Sequence, residues 1–214
     1  MSRSNAALDP VALSSLLASR LCHDLINPVG ALGSGLEVLD DSGMDQGMRD
    51  AALDLIRSGG EKSISLLKYA RLAYGAAGGV GAQLPLEEVE LILRDLYRWS
   101  KAELVWKLKP GHVDKEKAKA ILILAHAASD CVPRGGEVTV SGEGDDFTVE
   151  AVGARVMLQD DFVSALAGVT DDIKPKFAPA YVAGLMARES GGGIFAELAD
   201  EKVVMRAHFG AAST

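Results

Sequence analysis

Between Pro10 and Asp40 apolar residues recur every three or four positions, at Leu13, Leu16, Leu17, Leu21, Leu25, Val29, Leu32, Leu36 and Leu39. Spacing of that kind lays an apolar stripe along one side of an α-helix. Asp9-Pro10 supplies its start, an acid at the cap and a proline at the first helical position, where a missing N–H does no harm. Asp40-Asp41-Ser42-Gly43 ends it. A second helix is expected over roughly Gln46 to Tyr74, with Met48, Ala52, Leu55, Ile56, Leu66, Leu67 and Ala70 on its apolar side and Gly59-Gly60 weakening its middle. Two long helices with a short connection make a hairpin that cannot cover its own apolar faces. A homodimer closing a four-helix bundle is the expected remedy.

The run Gly75-Ala76-Ala77-Gly78-Gly79-Val80-Gly81 breaks the helical pattern as a small-residue linker, which divides the chain into residues 1–75 and 82–214. Beyond it helix and strand signals alternate. Helices are expected near Leu86–Lys101, Lys115–Val132, Asp160–Ala167 and Lys174–Ser190, and strands at Glu103–Leu108, Glu137–Ser141, Phe147–Val152, Ile194–Leu198 and Val203–Phe209. The last two strands suit a hairpin, and the helices carry one apolar face each. The expected fold class is therefore α plus α/β: a helical hairpin followed by an α/β sandwich with helices on one face of a mixed sheet.

Within the first helix stands Cys22-His23-Asp24-Leu25-Ile26-Asn27-Pro28. Residues four apart share a helix face, so His23 and Asn27 point the same way while Asp24 lies about 100° around. His23 falls off the apolar stripe. An exposed imidazole, neutral for much of the time near pH 7, can take a phosphoryl group on one ring nitrogen and pass it on. A neighbouring carboxylate can hold the proton of the other nitrogen and keep the attacking one free. Pro28 removes one backbone hydrogen bond and is expected to loosen the turn just after the histidine. The segment resembles the phosphoacceptor box of sensor histidine kinases, with His23 as phosphoacceptor and Asp24 and Asn27 as its partners.

The second unit resembles the ATP-binding (Bergerat) fold of the same kinases. Pro133-Arg134-Gly135-Gly136-Glu137-Val138-Thr139-Val140 is similar to the segment that follows the kinase N box, and Gly184 to Ile194 is similar to the helix, Gly-Gly and strand that close that fold. Aligned on these anchors, the nucleotide motifs are missing. The N-box asparagines fall at Ile123 and Ala127, which cannot ligate a hard cation. The segment whose aspartate reads adenine becomes Ala151-Val152-Gly153-Ala154-Arg155. The glycine-rich phosphate turn becomes Lys174-Pro175-Lys176-Phe177-Ala178-Pro179-Ala180, with no glycine to let a backbone approach phosphates.

A dimerising hairpin, a phosphoacceptor box and a degenerate kinase-like domain together resemble the ChpT-type histidine phosphotransferases of alphaproteobacteria. Further likenesses are Arg20-Leu21-Cys22-His23-Asp24, and Lys62 with Leu66-Leu67, Arg71 and Ala73-Tyr74-Gly75. Asn27 stands where that family also accepts serine. The resemblance implies a phosphorelay: the phosphoryl group arrives from the receiver domain of a hybrid histidine kinase and leaves to response regulator receivers, in cell-cycle and developmental control. It implies no cofactor on this chain, with magnesium on the partner receiver only. Arg20, three residues before His23, and Lys62 on the second helix are candidates to assist transfer with positive charge; solvated surface cations are the alternative.

Acidic residues exceed basic ones, 30 against 22, for a formal charge of −8, which argues against nucleic-acid binding. No stretch of 18 apolar residues and no signal-like amino terminus is seen, so no membrane partner and a cytoplasmic location are expected. Cys22 and Cys131 lack metal-ligand spacing, and His112, His126 and His208 stand isolated, without a second ligand at helix or strand spacing. Two rival functions remain: an active histidine kinase with a divergent nucleotide site, and a non-catalytic kinase-binding module.

Overall fold

A computed structural model describes residues 7–75, 82–169 and 171–210. Helix α1 (Pro10–Asp40) starts where Asp9 accepts the backbone N–H of Ala12 at 3.0 Å, and α2 (Gln46–Ala73) where Asp45 accepts that of Met48 at 2.8 Å. Each cap satisfies a donor that the first turn would leave unpaired. The two helices form the expected hairpin. Apart from Gly75, the linker expected at Gly75–Gly81 lies outside the described residues.

The remaining elements are β1 (Gln83–Pro85), α3 (Leu86–Tyr97), β2 (Ala102–Trp106), β3 (His112–Asp114), α4 (Lys115–Asp130), β4 (Gly136–Glu143), β5 (Asp146–Gly153), α5 (Asp160–Leu166), a 3₁₀ turn at Pro175–Phe177, α6 (Ala178–Glu189), β6 (Gly193–Ala199) and β7 (Lys202–His208). A five-stranded sheet runs in the order β2-β4-β5-β7-β6, with β2 parallel to β4 and the other pairs antiparallel. It is mixed, as expected. Strands β1 and β3 make a separate antiparallel pair that sequence reading missed. The helix expected from Lys174 instead opens as the 3₁₀ turn, and α6 proper starts at Ala178.

Alternation decides which face of the sheet is covered. Val138 and Val140 on β4, Phe147, Val149 and Ala151 on β5, and Val203, Met205 and Ala207 on β7 are buried under the helices. Cross-strand ion pairs Lys202–Glu150 (2.8 Å) and His208–Asp146 (2.8 Å) join β5 and β7 on the outer face. Helix α4 is apolar nearly all round, from Ala118 through Leu124 to Ala128, because it lies inside the core with the sheet below it and other helices around it.

The same core runs on into the hairpin. Leu66, Tyr69, Ala70, Leu72 and Ala73 of α2 are buried in it together with α3 and α4. Lys68–Asp95 (3.5 Å), Trp99 Nε1 to Ser65 Oγ (3.3 Å), Lys119 Nζ to the Gly75 carbonyl (2.6 Å) and the Leu8 N–H to Tyr181 Oη (2.9 Å) tie the two units together.

Gly59 does not mark a weak point in α2. A Cβ placed there would lie 2.6 Å from the Pro28 carbonyl oxygen, so the glycine lets α2 approach α1 closely at the turn after His23. Helix α1 continues through Pro28, which is itself buried. Gly60, one residue on, faces only Leu32 Cδ2 at 3.9 Å. Gly59→Ala should therefore lower stability by about 1–3 kcal/mol through overpacking, whereas Gly60→Ala should raise it by about 0.5–1 kcal/mol through helix propensity. Chemical denaturation of the two variants checks the difference in sign.

Candidate functional site

His23 projects from the middle of α1 with 81% of its side chain exposed, so a macromolecular partner can reach the ring. Its neighbours on the helix are not free in the same way. Asp24 presents Oδ1 to His23 Nδ1 at 3.5 Å and Oδ2 to Arg20 Nε at 2.7 Å, which makes one carboxylate the bridge between cation and imidazole. Arg20 and Asp24 are shielded, at 14% and 17% exposure. Burial disfavours the guanidinium charge, but the Asp24 carboxylate beside it outweighs that cost and holds Arg20 above its ordinary pKa. Pro28 has no N–H, so the Asp24 backbone carbonyl lacks its usual helical partner.

A groove of about 420 Å³ opens beside His23 between the hairpin and the second unit. One wall carries Arg20, His23, Asp24 and Asn27 of α1 with Lys62 of α2. The structure thus gathers all five residues singled out in the sequence. The other wall comes from the turn after α3 (Trp99, Ser100, Lys101), from the end of α4 (His126, Ser129, Asp130) and from Lys176 before α6. Neither Lys62 nor Lys101 has a salt-bridge partner among the described residues, so the groove concentrates uncommitted positive charge on a chain of net charge −8.

Sequence reading missed Trp99, Lys101, Asp130 and Lys176 as groove residues, because no local spacing links these three distant segments to His23. His126 was read there as isolated. In the fold it is half-buried on the groove wall, edge-on to Tyr69 with ring centroids 4.8 Å apart. Burial pushes its pKa down and the Arg20 charge adds to this, while Asp130 pulls the other way. His112 is exposed, and His208 is exposed and paired to Asp146.

Behind Arg20, Ile123 and Ala127 and part of the Lys174–Ala180 segment line a second cleft. Ile123 and Ala127 face Met157, Leu158, Phe162 and Phe177, and the free space among them is about 40 Å³. Pockets for drug-sized ligands span roughly 300–1,000 Å³. Phe177, from the 3₁₀ turn before α6, is buried at 5% exposure and helps to fill the cleft. Ala151, on β5, is buried between the sheet and the helices and lies outside this cleft. Cys131 is buried, which pushes its thiol up to about 12, while Cys22 is exposed; neither is in a disulfide. Among the described residues no three His, Cys, Asp or Glu side chains gather as a metal site.

Residues 86–202 match the family model for the histidine phosphotransferase C-terminal domain. Over 206 residues the chain is 31% identical to the protein phosphotransferase ChpT of Brucella abortus (strain 2308), spanning 94% of this chain and 97% of that protein. It superposes on a solved bacterial phosphotransferase with a TM-score of 0.83 at 28% identity, covering 95% of this chain and 99% of the other. The Acinetobacter baumannii histidine kinase AdeS is matched at 12% identity and a TM-score of 0.43, over 87% of this chain and 98% of the kinase.

The lowered pKa of His126 makes stability depend on pH in a fixed direction. The unfolded chain takes a proton on this ring near pH 6.5, above the pH at which the folded protein does. Its contribution is therefore fully present above pH about 6.5 and is lost as pH falls through the folded value. In thermal melts from pH 7.5 down to 5, His126→Phe should lose less stability than the parent.

Proposed function

The chain belongs to the histidine phosphotransferase family, and from that premise we propose that His23 is its phosphoacceptor, charged by the receiver domain of a hybrid histidine kinase and discharged to response regulator receivers without use of ATP. The observation that carries this reading is the exposed His23 ring at the mouth of a cation-lined groove, with Asp24 at its other nitrogen. A receiver aspartyl phosphate is a mixed anhydride. As His23 Nε2 forms the new P–N bond, the acyl O–P bond breaks and the receiver carboxylate leaves, so the imidazole needs in-line placement more than chemical activation. Asp24 favours the tautomer with the proton on Nδ1 and offsets the positive charge that builds on the ring. Lys62, Lys101 and Lys176 face the acidic surroundings of the incoming aspartate, and Asn27 shares the face of His23. Magnesium belongs to the receiver.

The small cleft at Ile123 and Ala127 supports the absence of ATP chemistry, since its free space is far below the size of a nucleotide and neither of these two side chains carries an oxygen for magnesium. The second unit then serves recognition: its share of the groove wall lets a receiver touch both units at once. Because α2 shares its core with α3 and α4, cutting at the linker would uncover Leu66, Tyr69 and Leu72, and groove substitutions test this role more cleanly. No described helix is long and apolar enough to cross a membrane, and we place the relay in the cytoplasm, in the cell-cycle circuitry that the family resemblance implies.

Incubation with labelled ATP alone, and separately with a phosphorylated receiver domain, tests the reading. Label should enter only from the receiver, as an acid-labile phosphoramidate. His23→Gln should lose it entirely while keeping its fold. Label from ATP, or a sub-millimolar Mg-ATP site in calorimetry, would restore the kinase alternative; label retained by His23→Gln would remove the site.

A single copy leaves Val29 (49%), Leu36 (52%), Met48 (48%), Ile64 (55%) and Leu67 (49%) of the hairpin exposed. So much apolar surface on two adjacent helices fits burial against a second copy as a four-helix bundle. Light scattering at micromolar concentration should give twice the mass of one chain, and Leu36→Glu with Leu67→Glu should shift it to one.

A further inference from the structure

Arg20 stands three residues before His23, yet it does not offer its charge to the groove. Its Nε is 2.7 Å from Asp24 Oδ2, its Nη1 is 3.4 Å from the backbone carbonyl of Lys176, and only 14% of the side chain is exposed. One planar cation therefore joins the carboxylate beside the phosphoacceptor to the turn that leads into α6. A role in helix stability does not explain the pair. On a helix the favourable order places the acid toward the amino terminus and the cation four residues later, and Arg20–Asp24 has the reverse order. Nor is it a solvated surface pair, since both partners are shielded.

The remaining oxygen of Asp24 faces His23 Nδ1 at 3.5 Å. A carboxylate free to rotate would give that oxygen to solvent. With its other oxygen held by Arg20 Nε, Asp24 keeps one oxygen toward the ring. We propose that Arg20 is a positioning residue for phosphotransfer: it orients Asp24, through Asp24 sets the tautomer of His23, and by its bond to the Lys176 carbonyl makes that setting depend on how the second unit sits against α1. The inference rests on the assignment of His23 as phosphoacceptor. Arg20 acts here through another side chain, in contrast to the direct assistance expected from the sequence.

No proton need leave the ring during transfer. The phosphorylated imidazole keeps its Nδ1 proton, and Asp24 faces the resulting positive charge. Loss of Arg20 leaves every reacting atom in place and lets the attacking nitrogen be protonated for part of the time.

The test uses the full chain in four forms: parent, Arg20→Ala, Asp24→Asn and the double variant, with Arg20→Lys as a fifth. Phosphoramidate serves as a donor that needs no receiver docking, and long-range ¹H–¹⁵N spectra report the His23 tautomer. In the parent the ring should carry its proton mainly on Nδ1. Arg20→Ala and Asp24→Asn should each shift it toward Nε2 and slow phosphorylation about tenfold, the scale on which loss of an orienting partner acts elsewhere. The double variant should be no slower than Asp24→Asn. Arg20→Lys keeps the charge but cannot reach both partners, and should behave as Arg20→Ala; it also decides the matter if Arg20→Ala fails to fold. A further tenfold loss in the double variant, an unmoved tautomer, or full activity of Arg20→Lys would overturn the proposal. Label on His23→Gln from phosphoramidate would instead overturn the phosphoacceptor assignment on which it stands.

Discussion

Helix α2 is packed from two sides, and the arrangement of the whole molecule follows from that constraint. Its first half lies against α1, close enough at Gly59 that only a hydrogen atom fits over the Pro28 carbonyl. Its second half supplies Leu66, Tyr69, Leu72 and Ala73 to the core that holds α3 and α4. A helix held on both sides cannot swing. Where α1 runs on past this shared region, it faces the turn after α3 and the end of α4 across an open space, and that space is the groove. The position of His23 relative to the second unit is thus fixed by apolar packing some way from the chemistry, with Arg20, Trp99 and Lys119 as polar ties across the seam.

The electrostatics of the groove run against those of the chain. A protein with eight excess acidic charges repels an acidic partner at long range, and productive docking then depends on local positive charge. Lys62, Lys101 and Lys176 come from three different elements and meet only in the folded structure. Such a gradient suits partner choice: an acidic surface docks stably only where its charge reaches those lysines, while the rest of the molecule disfavours other contacts.

Long elements with strong periods were legible in the sequence. The Asp9-Pro10 cap and the Leu13–Leu39 stripe define α1, and the hairpins β4–β5 and β6–β7 fall within a residue or two of their expected limits. The β1–β3 pair was not legible, because three residues are too few to show alternation. Gly59 was misread because helix propensity describes an isolated helix, whereas here a neighbouring backbone selects against any side chain. That His23, Asp24 and Asn27 reach one groove was legible since they lie within five consecutive residues of one helix. Lys101, His126 and Lys176 were not, because their only relation to His23 is through tertiary structure. Arg20 was identified by position, but its partners could not be: residue spacing tells which side chains share a face, not which one has already been claimed by a carboxylate.

The filled cleft has a consequence for how such a relay would keep its geometry. A nucleotide-binding domain needs mobile loops around its ligand, and the position of the domain then varies with occupancy. Here Phe162 and Phe177 occupy the interior, Pro175–Phe177 is a short 3₁₀ turn, and the carbonyl of Lys176 in that turn meets Arg20. This turn is thus committed to packing and to a contact with Arg20, three residues before His23. On the proposed reading, loss of the ligand removes a source of motion from the docking groove. A relay protein has no need to gate its own phosphorylation by nucleotide, but it must present one histidine in line to several receivers, and a rigid groove lowers the entropic cost of each encounter.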